Sequence, residues 1–98
     1  MSKREHVIQS AILKMLRNRF PDAVIYKLTE ETNCGIPDIL FIHNGVTIFL
    51  EVKSQRGRLK PIQKATLRQL QENGVIAEVV RSVEDAAVVL HLQKANLT

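Results

Sequence analysis

The chain has 98 residues, 45% hydrophobic and 24% charged, an ordinary globular composition that makes a single domain over 1–98 and leaves no room for a second. A net charge of +4 admits an anionic partner, while four aromatic residues argue against a platform for stacking bases. The single cysteine, Cys34, excludes an intramolecular disulfide framework and a cysteine-based zinc cluster, and no apolar run reaches the length of a signal peptide or membrane span, so a cytosolic protein is expected.

From Ser2 to Phe20 the apolar residues Val7, Ile8, Ala11, Ile12, Met15 and Leu16 recur at three- and four-residue spacing, the pattern of an amphipathic helix that Phe20-Pro21-Asp22 ends. Residues 24–28 suit a strand, and the polar run from Thr29 to Gly35 reads as a loop. Two strand-like runs follow, joined by Asn44-Gly45. Pro61 suits the first turn of a helix with Leu67 and Leu70 on its apolar face, and Gly74 is its stop. Residues 75–80 read as a strand. Ser82 with Asp85 resembles a capping box for a last helix running to about Leu92, although Val88 to Leu92 also suits a short strand.

Asn44-Gly45 is a strong signal for a two-residue type I′ turn, and such a turn fixes the pairing register. His43 then faces Val46. Each step back along one strand matches a step forward on the other, which puts Asp38 opposite Glu51, with Cβ atoms roughly 4.5–5.5 Å apart, and Lys53 on the same face. The other face carries Ile39, Phe41, Val46, Ile48, Leu50 and Val52. The charged face also holds Leu40, Ile42 and Phe49, so both faces read as largely buried. Facing like charges in such a place repel and lose hydration, and something must compensate. Frayed-edge solvation with a Lys53 salt bridge is one answer. A shared Mg²⁺ or Mn²⁺ ion is the better one, because hard oxygen ligands suit those cations. Lys53 then orients the attacking water or stabilises negative charge building on a phosphate.

The stretch "GIPDIL" followed by "FLEVK" resembles the signature of the PD-(D/E)XK nucleases, with Pro37-Asp38 and Glu51-Val52-Lys53 in register. The downstream "GRLKPIQKATLRQLQENG" resembles the VRR-NUC (virus-type replication-repair nuclease) group within that superfamily, through Gly57, Leu59, Gln63 and Gly74. This resemblance implies an α/β, restriction-endonuclease-like fold with an αβββαβ core and a mixed central sheet flanked by helices. It also implies metal-dependent hydrolysis of a nucleic-acid phosphodiester in a bacterial or phage-infected cell. Asp38, Glu51 and the Val52 carbonyl would be metal ligands and Lys53 would assist the attacking water. Related nucleases place a first-helix acid near the metal, and Glu5 is the match here. Ser2 with Glu5 also satisfies a capping-box spacing. Glu30 and Glu31 are weaker candidates in a polar loop. Gln63 is placed to hydrogen-bond the catalytic lysine or a phosphate.

Between Val52 and Gln71 stand Lys53, Arg56, Arg58, Lys60, Lys64 and Arg68 and no acid, a local basic patch suited to phosphates. Phosphate contacts give affinity without reading sequence, so structure-selective or nonspecific binding is expected rather than a base code. With the resemblance, this makes the expected function a metal-dependent DNA endonuclease selective for a branched duplex such as a four-way (Holliday) junction. The alternative is a non-catalytic nucleic-acid-binding or structural subunit of a DNA repair or replication assembly. A junction needs two symmetric cuts, which favours a homodimer. Val83, Ala86, Ala87, Val88, Val89, Leu90 and Leu92, which leave little polar face after Asp85, hint at the surface it would bury.

Overall fold

The computed structural model describes residues 1–29 and 34–96, with side chains described through residue 91. Glu30 and Glu31 therefore lie outside the described residues. In chain order the elements are α1 (Lys3–Arg19), β1 (Val24–Lys27), β2 (Ile39–His43), β3 (Val46–Val52), α2 (Pro61–Glu72), β4 (Ile76–Val80) and α3 (Val83–Asn96). The expected order holds. Val88 to Leu92 is helical rather than a strand, because the Ser82 hydroxyl accepts from the Asp85 N–H at 3.0 Å and starts a helix that continues to Asn96.

The four strands lie in the order β1-β2-β3-β4. The first three pair antiparallel, and β3 pairs with β4 in parallel through the crossover that α2 supplies. The β2–β3 register runs from His43 opposite Val46 to Ile39 opposite Leu50, as the turn dictates. Asn44 and Gly45 both have positive φ, 49° and 78°, the backbone a type I′ turn requires. Continuing the ladder by one residue brings Asp38 across from Glu51.

The main core lies on one face of the sheet, where Ile12, Leu13 and Leu16 of α1 and Ala86 and Leu90 of α3 cover Ile39, Phe41, Ile48, Leu50, Val52 and Val80. Two details of the helix reading change. Val7 points to solvent and Leu13 is buried, because the α1 stripe that meets the sheet is Gln9, Ile12, Leu13 and Leu16. Among the described side chains of α3, Val89 packs against the core and Val88 is the exposed large apolar residue, so most of that apolar surface is covered by its own domain.

The opposite face is less covered than the sequence suggests. Leu67 of α2 and Ala77 of β4 are buried there, and Ala77 sits beside Phe49 in the parallel register. Leu40, Ile42 and Phe49 are only half-buried, and Val24 and Tyr26 on β1 are exposed. One helix covers the half of this face near β4 and leaves the half near β1 open. The charged residues sit at the end of this face, where an open cleft reaches them.

Candidate active site

Three segments bring the charged groups together. Asp38 immediately precedes β2, and its main chain is tied to the end of β1 by the Leu28 N–H, which donates to the Asp38 carbonyl at 2.7 Å. Its carboxylate accepts the Val52 N–H at 2.8 Å, bridging to β3 where the strand would otherwise lose its partner. Glu51 is the next to last residue of β3 and is only 2% exposed. Lys53 follows directly, its N–H donating to the Val80 carbonyl at 3.0 Å, and its ammonium stands 3.9 Å from the Glu51 carboxylate. At 7% exposure, that ammonium is almost as buried as its partner.

The first turn of α2 supplies the fourth group. Gln63 donates through Nε2 to Glu51 Oε1 at 3.1 Å and accepts the Lys60 N–H through Oε1 at 2.9 Å. Both ends of its amide are therefore used. Gln63 fixes the Glu51 carboxylate oxygen that Lys53 also faces, and it caps its own helix.

Asp38 is held above its ordinary pKa of 3.8, chiefly because burial penalises its charged form. The Val52 N–H, a hydrogen bond shared with Glu51 and the charge of Lys53 oppose that rise, and the charge of Glu5 adds to it. The half-buried Asp38 and buried Glu51 beside one lysine thus favour a proton or a cation held between the two carboxyl groups.

These groups line a cleft of about 570 Å³, bordered by Glu5, His6 and Gln9 of α1, by Lys27 to Thr29, and by Asp38, Glu51, Lys53, Lys60 and Gln63. Glu5 has two parts to play. Its N–H is capped by the Ser2 hydroxyl at 3.1 Å, and its half-exposed side chain faces the cleft. Among the described residues no three of His, Cys, Asp and Glu gather into one metal-holding group, and Glu5 shares the cleft with Asp38 and Glu51. The pair still fits Mg²⁺ or Mn²⁺ in its donor chemistry, since Mg²⁺ is commonly held by one or two carboxylates and keeps several waters.

Arg56, Arg58, Lys60, Lys64 and Arg68 are all exposed. Only Lys60 among them lines the cleft; Arg56 and Arg58 lie in the loop between β3 and α2, and Arg68 borders a separate shallow groove beside Cys34 and Ile62. Sequence reasoning missed Arg81, just after β4. Its guanidinium donates to the carbonyls of Ser54 at 2.7 Å and Gly57 at 2.6 Å, clamping the turn that carries Arg56. It also missed Gln9, a polar residue in an apolar helical stripe, which was the available signal.

The VRR-NUC domain model matches residues 2–84, most of the chain. The chain belongs to the VRR-NUC family. It is accordingly a nuclease-type domain. A solved structure described as a VRR-NUC domain superposes with a TM-score of 0.71 at 24% identity, covering 92% of this chain and 97% of that one. A second, described as a VRR-NUC domain protein, gives 0.71 at 16% identity over 96% of this chain and 88% of that one. At these identities the likeness establishes the fold. No curated protein sequence matches the chain. The VRR-NUC match spans both halves of the site, from Glu5 on α1 to Gln63 on α2.

Proposed function

We propose that this VRR-NUC domain is a divalent-metal-dependent DNA endonuclease that acts on branched duplexes such as four-way junctions and works as a homodimer. The observation that carries the reading is the facing pair of carboxylates, half-buried Asp38 and buried Glu51, with the Lys53 ammonium 3.9 Å from Glu51 at the floor of an open cleft. Asp38, Glu51 and the Val52 carbonyl would hold Mg²⁺ or Mn²⁺, which when bound supplies charge neutralisation at the phosphate. Lys53 orients the attacking water and stabilises the negative charge that develops on the phosphate oxygens. Gln63 keeps the Glu51 carboxylate in place while this happens, through its 3.1 Å hydrogen bond. Glu5, one side of the cleft, acts through water and through its charge on Asp38. Hydrolysis adds one water across one phosphodiester bond and leaves a phosphomonoester and a hydroxyl.

The exposed bases from Arg56 to Arg68 supply phosphate contacts without base readout, which suits recognition by shape. A junction requires two cuts, and Val88 on the outer side of α3 is an exposed apolar residue available to a second copy. A panel of plain duplex and four-way junction, titrated with Mg²⁺ and Mn²⁺, tests the reading. Metal-dependent nicking with preference for the junction is expected, and failure to cut any DNA with either ion overturns it. Light scattering should show about twice the monomer mass of 11.1 kDa, and a monomer that resolves junctions would remove the dimer.

A further inference from the structure

Position 9 lies in the α1 stripe that covers the core, together with Ile12, Leu13 and Leu16, where an apolar side chain is the expected occupant. The sequence has glutamine there. Gln9 is only 2% exposed, and it lines the cleft rather than being sealed in the core. Gln63, the other buried amide at the cleft, is engaged at both ends by Glu51 and Lys60. At a core-facing position this buried, Leu or Met would pack as well, so packing alone does not call for an amide there. The amide lines the cleft that holds Asp38, Glu51 and Lys53, one helical turn beyond Glu5 on the same face of α1.

We propose that Gln9 is a substrate-contacting residue whose carboxamide N–H donates to a non-bridging oxygen of the DNA phosphate seated at the Asp38–Glu51 pair. The proposal rests on the nucleic-acid reading of the cleft and adds a named phosphate contact to it. The chemistry explains the choice of residue. Three carboxylates, Glu5, Asp38 and Glu51, border this cleft, and on its α1 side His6 and Gln9 are the lining residues that carry side-chain donors. A lysine at position 9 would supply one but would repel a cation at the carboxylates. A neutral amide donates without doing so.

The test uses Gln9→Leu and Gln9→Met in the full chain, with three measurements: melting temperature without DNA in EDTA, affinity for a fluorescein-labelled four-way junction in EDTA by anisotropy, and turnover with Mg²⁺. Both variants should melt at or above the wild-type temperature, bind the junction about 3- to 10-fold more weakly, and turn over roughly 10- to 100-fold more slowly. Lower melting temperatures with unchanged affinity and turnover per folded molecule would make Gln9 a structural residue and overturn the proposal. If the wild type binds the junction but cuts nothing, the endonuclease reading falls and the affinity comparison alone decides for or against Gln9.

Discussion

Replacing Gly35 with alanine probes how the site is assembled. Gly35 is buried, has φ +75°, and lies under the first turn of α2, where an added Cβ would meet the Ile62 carbonyl oxygen at 2.5 Å, its carbon at 2.7 Å and the Gln63 nitrogen at 3.0 Å. All three are backbone atoms. Restoring an ordinary contact of 3.4 Å means that this turn must retreat by about 0.9 Å, the difference from 2.5 Å. Such a shift lengthens the 3.1 Å bond from Gln63 to Glu51. The left-handed backbone costs about 1–2 kcal/mol and the overpacking about 1–3 kcal/mol. Together they amount to roughly 2–5 kcal/mol, a fall in melting temperature on the order of 10 °C or more for a domain of this size. Turnover per folded molecule should drop roughly 10- to 100-fold, because displacements near 1 Å are that damaging to catalytic geometry. Gly74→Ala is the control: its φ is +79° but nothing lies within 4 Å of the added atom, so only the backbone cost of about 1–2 kcal/mol applies and activity should hold. Thermal unfolding and junction cleavage of both variants decide the matter. If Gly35→Ala melts with Gly74→Ala and cuts at the wild-type rate, the close approach of Gly35 to α2 does not shape the site.

The remaining predictions use other parts of the same machinery. The raised Asp38 pKa means that the folded protein holds this proton more tightly than the unfolded chain. Its stabilising contribution is full below the ordinary value of 3.8 and is lost as pH rises through the folded value. In EDTA at pH 7 Asp38→Asn should therefore melt above wild type, with the gap closing as pH falls toward 4; a variant that melts lower at pH 7 contradicts the sign. Arg56→Ala with Lys64→Ala should weaken junction binding and flatten its dependence on log salt by about one unit of slope per lost phosphate contact, and an unchanged slope would place DNA elsewhere. Arg81→Ala should weaken binding in the wild-type background but add little to Arg56→Ala with Arg58→Ala, since Arg81 acts by holding their turn. Full additivity in that cycle would mean that Arg81 meets DNA itself.

The site was legible wherever one local feature propagates by rule. Asn44-Gly45 fixes a register, and the register alone brings Asp38 opposite Glu51 with Lys53 on the same face. Ser2 and Ser82 cap helices through contacts three residues away, so these too could be read from spacing. What escaped depends on segments far apart in sequence. The Gln63 bond to Glu51 spans 12 residues and the Arg81 clamp on Ser54 spans 27, and no periodicity encodes either. Val7 stands about 120° from Leu13 at roughly 100° per residue, nearly opposite the stripe of Gln9, Ile12 and Leu16, so its exposure was readable from helix geometry and only the three- and four-residue spacing count obscured it. Coverage of the charged face was overestimated because strand alternation shows which residues share a face but not how far one helix extends over it.

The most direct test of the central claim is nicking of a labelled four-way junction by wild type, Asp38→Asn and Glu51→Gln across a Mg²⁺ and Mn²⁺ titration, with folding and junction binding measured alongside. Each substitution removes one charged oxygen ligand with little change in volume. The account predicts metal-dependent nicking by the wild type and its loss in both variants, which remain folded and still bind the junction. Wild-type rates in either purified variant, with contaminating nuclease excluded, would contradict the assignment of the facing carboxylates as the catalytic centre.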